Sequence, residues 1–341
     1  MKLSLWSFIK AQWSKQEEVT KVDLTGKTVL LLGANTGLGF EATKHFATMN
    51  PERLILACRN QTKGQAAVEK LKADTGYAKA ELWLVDLADF DSVKQFADKF
   101  EQDGGRLDIL VENAAVGTSK YQPTKDGFET SLQVSNLSTP LVALRLLPSM
   151  IKTAQEHSTQ PRLVIVSSEV HYWHDIEKPV VESPEIVKTL ASAEYCTTGK
   201  VMDSRYLLTK LLNVFFTRAL NARLPPSTPV IVNTVNPGYC YSELRREFTG
   251  LRAFVDHLME LALAFTTEVG SRQLVWAALA KQEAPEQLRG EYITAFHVQE
   301  VSDFVLSPQG AKAQDLIWED TLDILKKVDP KVNGIVAKYL A

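Results

Sequence analysis

A doubly wound α/β architecture, with a parallel sheet covered by helices on both faces, is the fold expected of these 341 residues. Three features carry that expectation. Short apolar runs alternate with longer amphipathic stretches through most of the chain, and such alternation demands right-handed crossovers between parallel strands. A turn containing Gly33, Gly37 and Gly39 follows the first apolar run. Small or polar residues then end the later runs, where an open sheet forms its ligand crevice.

In chain order, strands are expected at Thr28–Gly33, Leu54–Cys58, Glu81–Val85, Leu107–Val111, Arg162–Ser167, Pro229–Val235 and Tyr292–Thr294. Helical periodicity fills the gaps at Gly37–Met49, Lys63–Lys72, Asp91–Phe100, Ser204–Arg223 and Glu268–Ala280. Two stretches, His171–Gly199 and Tyr239–Thr267, break the alternation and are expected as insertions at the substrate side. No Pro/Gly-rich linker, repeat or low-complexity tract divides the chain. One domain over 27–300 is therefore expected, with an N-terminal amphipathic extension over 1–26 and a C-terminal helical extension over 301–341.

Composition narrows the function classes. A formal charge of −3, with no basic cluster set among aromatic residues, gives no footprint for nucleic acid. Cys58, Cys196 and Cys240 lie far apart, with neither metal-ligand spacing nor a disulfide framework, so a reducing compartment, the cytoplasm, is expected. The N-terminal Leu3–Ile9 run is far too short to span a bilayer, and no small-residue cleavage site follows it. Trp6, Ile9 and Trp13 recur at helical spacing near Lys2, Lys10 and Lys15. Such a helix either touches a membrane surface or packs on its own domain or a partner subunit. The weak basic face favours packing, hence no stable membrane anchor, with a homodimer open.

The run TVLLLGANTGLGFEATKHFA supplies the first chemistry. Gly33, Gly37 and Gly39, with Asn35, Thr36 and Leu38 between them, let a pyrophosphate approach the backbone and sit on a helix N-terminus. The spacing is G-x3-G-x-G rather than the commoner G-x-G-x-x-G. Arg59, at the end of LILACRN, stands where an acidic residue would hold a ribose 2′-hydroxyl. Its guanidinium suits a 2′-phosphate, which points to NADP(H). Asp86 and Leu87 end the third strand, and Asn113, Ala114 and Ala115 end the fourth.

The fifth strand ends in Ser167 and Ser168, and downstream Tyr206 and Lys210 share one helix face at i, i+4. Singly these signals are weak; their order after a glycine-rich turn is specific. Over roughly Leu24 to Thr294 the segments GANTGLG, ACRN, VDLAD, ENAAV, VSSEVH, YLLTK and NPGYCYSEL resemble the short-chain dehydrogenase/reductase family, a Rossmann fold. ANTG, ACRN and the long Ser-to-Tyr spacing look like its retinol-dehydrogenase-like branch; FIKAQW and IWEDTL look like fungal members associated with secondary metabolism.

That resemblance implies Tyr206 as general acid/base, Lys210 as its partner and a ribose ligand, and Ser168 as hydrogen-bond donor to a carbonyl. It also implies Pro237 and Gly238 as the turn beside a nicotinamide, with Ser242 near the carboxamide. A free tyrosine titrates near pH 10, and a neighbouring ammonium lowers that value by stabilising the phenolate.

Two departures stand out. The family's N-N-A-G is Glu112-Asn113-Ala114-Ala115 here, and its relay asparagine aligns with Ser135, while Asn136 would point about 100° away on an ideal helix. His171, Tyr172, Trp173 and His174 are expected to line or support the substrate pocket, and no cluster suggests a metal. The apolar stretch 243–265 is expected as a lid. The reading is an NADPH-dependent carbonyl reductase or alcohol dehydrogenase for a lipophilic small molecule of secondary metabolism. The alternatives are a non-redox cyclase or isomerase, or a silent regulatory protein that retains NADP(H).

Overall fold

The computed structural model describes residues 3–242 and 250–340, and the side chains of all of these except 250–256. Its frame is a sheet of eight strands: β1 Thr28–Leu32, β2 Arg53–Cys58, β3 Ala80–Leu84, β4 Ile109–Glu112, β5 Arg162–Val166, β6 Ile231–Val235, β7 Tyr292–Thr294 and β8 His297–Gln299. The spatial order is β3-β2-β1-β4-β5-β6-β7-β8. Every pairing is parallel except that of β7 with β8. The chain reverses its winding between β1 and β4, and in an open sheet the ligand crevice lies at that switch, beyond the strand carboxyl ends.

The long helices are α1 Leu5–Gln12, α2 Gly37–Ala47, α3 Gln61–Thr75, α4 Phe90–Gln102, α5 Thr139–His157, α6 Arg205–Arg223, α7 Gly250–Leu263, α8 Thr267–Leu279, α9 Pro308–Val328 and α10 Lys331–Tyr339. Strand side chains alternate between two cores, as a pleat requires. Leu30, Leu32, Leu110 and Ile165 join one core with residues of α4, α5, α6 and α9. Val29, Leu31, Val111 and Val164 join the other with residues of α2, α3 and α8. Because both faces are buried, the central strands read as continuous apolar runs.

The expected strands are all found, with ends shifted by one or two residues. An additional strand, β8, turns back from β7 through Ala295 and Phe296, both at positive φ. That tight hairpin carries none of the Gly or Asn residues that usually mark one. The insertion 171–199 forms a one-turn 3-10 helix and three short helices, Lys178–Val181, Ile186–Ala191 and Ala193–Cys196. The C-terminal helices belong to the same body: Trp318 of α9 stacks on Phe216 of α6, with ring centroids 5.8 Å apart. Arg145 of α5 is buried and pairs with Asp98, Glu101 and Asp329, which ties the start of α10 to α4. Of the expected lid, 243–249 and the side chains of 250–256 lie outside the described residues; its described part is the helix α7.

Candidate active site

Two cavities open on the carboxyl edge of the sheet. The first, of about 370 Å³, runs along the ends of β1, β2, β3 and β4 and is lined by Gly33, Asn35, Thr36, Gly37, Leu38, Arg59, Asp86, Leu87, Asn113, Ala114, Ala115 and Ser242. Twelve of the residues singled out from sequence thus share one cleft. The turn is built from its glycines. Gly33 has φ +74°, and a Cβ there would meet the Ala114 backbone at 2.8 Å. Gly39 does not line the cleft; a Cβ on it would come within 2.2 Å of the Gly33 carbonyl, so it is needed for the close packing of α2 on β1. Asn113 Nδ2 donates to that same carbonyl over 3.0 Å, which locks the turn.

The cleft suits a dinucleotide on two further counts. Thr36 precedes α2 but makes no side-chain cap bond, so the first-turn N–H groups remain available to an anion. Lys63, in the first turn of α3, lines the cleft with Arg59 and adds a second cation beside the end of β2. The sequence reading missed Lys63 because it placed the helix start there rather than at Gln61, with Asn60 as its cap.

The second cavity, of about 550 Å³, meets the first at Leu38, Gly117 and Ser242 and contains Ser168, Tyr206, Pro237 and Gly238. Ser168 caps the 3-10 helix Glu169–Trp173, its Oγ accepting from Val170 N over 3.4 Å. Tyr206 enters from the first turn of α6. Lys210, one turn further on, is buried; its Nζ lies 5.5 Å from the Tyr206 ring centre and donates to the Val166 carbonyl over 2.8 Å. Loss of hydration pushes Lys210 down to about 7. The structure thus brings Ser168 and Tyr206 together in one cavity, with Lys210 behind them.

Ser135 does not line either cavity. It is buried, and its hydroxyl has no hydrogen-bond partner. The ideal-helix argument for its neighbour fails, because Gln133–Ser138 is wound as a π-helix. Asn136, expected to point away, reaches α6 instead: its Nδ2 donates to Thr209 O at 2.9 Å and to Asn213 Oδ1 at 2.8 Å. Asn213 in turn donates to Val166 O, the carbonyl that also holds Lys210. The wider turn of a π-helix re-aims side chains in this way. Glu112, the other departure, is buried with neither carboxyl oxygen partnered, and burial pushes its carboxyl far above the usual range.

Around Ser168 the aromatic insertion divides its labour. Trp173 lines the cavity, while His171 is buried beneath it, its Nδ1 2.8 Å from Ser168 O and its ring 4.6 Å from that of Tyr292. Burial pushes His171 and His174 down to about 4, which leaves both neutral and unsuited to proton transfer near pH 7. Tyr172 supports from outside through Glu300 O. Glu169 was not anticipated: it lines the cavity, accepts from Asn236 Nδ2 over 3.3 Å, and is pushed up to about 7 by burial. The three cysteines are buried and none is in a disulfide. Among the described residues no group of His, Cys, Asp or Glu could hold a metal, and no helix is long and apolar enough to cross a membrane.

A glycine turn at the switch point of a doubly wound sheet, opening onto a cavity with a serine and a tyrosine backed by a buried lysine, defines a dinucleotide-dependent class of protein. Residues 27–173 match the family model of the short chain dehydrogenases. A short chain dehydrogenase/reductase of the fungus Cryptosporiopsis is 32% identical over 335 residues, covering 97% of this chain and 99% of that one. A short-chain dehydrogenase of Penicillium roqueforti is 33% identical and covers 98% of this chain and 87% of its own. The chain belongs to the short-chain dehydrogenase/reductase family, and it is an oxidoreductase of that family. Salutaridine reductase of Papaver somniferum shares the fold, with a TM-score of 0.58 at 21% identity over 78% of this chain and 99% of that one. So does a short-chain dehydrogenase from Sphingobium yanoikuyae in complex with NADPH, with a TM-score of 0.52 at 21% identity over 72% and 81%.

Proposed function

We propose that the protein is an NADPH-dependent carbonyl reductase, or the reverse alcohol dehydrogenase, acting on a lipophilic small molecule of fungal secondary metabolism. One observation carries the reading: Ser168 and Tyr206 face an apolar cavity that joins the dinucleotide cleft at Leu38, Gly117 and Ser242. A substrate carbonyl and a nicotinamide would meet at that junction. The fungal relatives and the NADPH complex of a structural neighbour are consistent with it.

On this reading Arg59 and Lys63 hold the 2′-phosphate, and the first turn of α2 holds the pyrophosphate. The reduced nicotinamide, when bound, supplies the hydride. Tyr206 gives its phenolic proton to the carbonyl oxygen, and the Ser168 hydroxyl donates to the same oxygen. Two donors fixed in an apolar cavity stabilise the charge that builds there more strongly than water would. Lys210, its Nζ 5.5 Å from the Tyr206 ring centre, favours the phenolate in its ammonium form and so eases proton release to the carbonyl oxygen.

The test is NADPH consumption, followed by the absorbance of the reduced nicotinamide, across a panel of aromatic and terpenoid ketones. Turnover with several of them is expected. Tight NADPH binding with no turnover on the whole panel would favour a silent or non-redox protein instead.

A further inference from the structure

The N-terminal helix α1 lies outside the segment that defines the family, yet its side chains reach the substrate side of the molecule. Leu5 and Phe8 line the same cavity as Ser168 and Tyr206. Phe8 is buried, with its ring edge-to-face against Trp173 at 5.9 Å and against Tyr239 at 6.2 Å. Those three rings come from the N-terminus, the insertion after β5 and the loop after β6, and all three line the cavity.

The helix is fastened at both ends. Trp173 Nε1 donates to the Leu3 carbonyl over 3.1 Å. At the other end the buried Gln12 amide donates from Nε2 to Tyr239 O and to Leu263 O, both at 2.9 Å, and its Oε1 accepts from Tyr239 N at 3.2 Å. Trp13 Nε1 adds a bond to Ala262 O. Gln12 therefore joins α1 to the end of α7 and to the turn beside Pro237. Gly238 permits the approach: its φ is +80°, and a Cβ there would meet Phe265 at 3.0 Å and Gln12 Oε1 at 3.1 Å. A buried amide bonded at both its nitrogen and its oxygen fixes a geometry, because leaving its partners unmet costs each of them its desolvation.

We propose that α1 is a wall of the substrate cavity, that Phe8 selects carbonyl substrates with a large flat aromatic or fused-ring body, and that Gln12 is the positioning residue that holds this wall against α7. Flat π-faces pack against ring edges, and Phe8, Trp173 and Tyr239 offer three such rings in a volume of about 550 Å³. This inference rests on reading the cavity as the substrate site.

The experiment compares phenanthrenequinone, large and flat, with butanedione, small, as NADPH-dependent substrates of the unmodified protein and of Phe8→Ala, Leu5→Trp and Gln12→Leu. In Phe8→Ala the ratio of kcat/KM for phenanthrenequinone to that for butanedione should fall about tenfold or more, since each lost apolar group in a fitted pocket is worth that scale of discrimination. Gln12→Leu should raise KM for phenanthrenequinone more than it lowers kcat and leave KM for butanedione unchanged, while the melting temperature falls because Tyr239 and Leu263 lose a buried partner. Leu5→Trp alters an exposed position and keeps the test alive should Phe8→Ala fail to fold; it too should lower the ratio. Equal effects on both ketones, or none, would overturn the wall. If the unmodified protein reduces neither ketone, the wall is judged apart from the proposed function, by binding of phenanthrenequinone to the NADP-loaded protein through tryptophan quenching. Binding weakened about tenfold by Phe8→Ala would support the wall; unchanged or absent binding would overturn it.

Discussion

The two halves of the site are built by different means. The dinucleotide cleft consists largely of backbone and small residues at the ends of four consecutive strands, Gly33, Arg59, Asp86 and Asn113 among them. The second cavity is assembled from apolar side chains far apart in the chain, with Phe8, Trp173, Met202 and Tyr239 lining it beside Ser168 and Tyr206. A pyrophosphate is the same in every dinucleotide, so the first half must keep its turn geometry. A substrate differs from one enzyme to another, and the second half is free to vary through loops and terminal helices. Cofactor choice should therefore lie in the first half, substrate choice in the second, and chemistry at their junction.

The junction should give the largest effect. Tyr206→Phe removes one oxygen from the cavity and should lower kcat by about 10²-fold to 10⁴-fold, the scale of a lost general acid. NADPH affinity should stay within about tenfold, the scale of one neutral hydrogen bond. Stopped-flow turnover and calorimetry read the two quantities separately, and retained turnover would detach the chemistry from this cavity.

Within the cofactor half, Arg59→Asp should weaken NADPH binding by roughly tenfold to a hundredfold, the scale of a hydrogen bond to a charged group, and barely change NADH binding. Lys63 stays in place and limits the loss. Equal losses for both cofactors would mean that Arg59 acts on the fold of the turn and not on the phosphate.

Within the substrate half, stability should carry the titration of the buried groups around Ser168. Glu169 is raised from 4.5 to about 7, so its contribution is fully present below 4.5 and is lost as pH rises through 7. The loss is on the order of 3 kcal/mol at most, taking about 1.4 kcal/mol for each pKa unit. His171 is lowered from 6.5 to about 4, so its contribution is present above 6.5 and is lost as pH falls through 4. Glu169 and His171 oppose each other between pH 4.5 and 6.5, so Glu169→Gln should unmask the rise in melting temperature that His171 gives over that window. An unchanged profile in that variant would show that Glu169 is ionised and solvated.

The smallest effect is expected at Ser135. Its hydroxyl is buried without a partner, and the neighbouring Asn136 already holds α6. Ser135→Asn should leave turnover similar or raise it by about threefold, within the energy of one neutral hydrogen bond. A large drop in turnover would mean that the π-turn has no room for the amide.

How much of this was legible follows from the same contrast. Gly33, Asn113 and Arg59 could be read because the residue type and its place after a strand follow from what a phosphate and a sharp turn require. Tyr206 and Lys210 could be read because a helix fixes the meaning of a four-residue spacing. Asn136 was misplaced by the same logic, since the helix it lies on is a π-helix and no residue type announces that. Gln12 and Phe8 gave no signal at all: their partners Tyr239 and Leu263 lie more than 220 residues away, and amphipathic periodicity shows that a helix buries a face but not against what. Glu169 read as one more polar residue after Ser168, because burial, which gives it its character, is a property of the folded molecule.

Hydride delivery to a carbonyl held by Ser168 and Tyr206 is the central proposed step, and isotope transfer reads it out. NADPH dideuterated at the nicotinamide C4 would be mixed with the unmodified protein and 2-acetylnaphthalene, a ketone whose alcohol keeps the transferred label, and the product examined by mass spectrometry and proton NMR. One deuterium is expected on the carbinol carbon of the product, and no labelled product in the same time from Tyr206→Phe loaded with the same cofactor. A product without the label, or equal labelling by Tyr206→Phe, would contradict it.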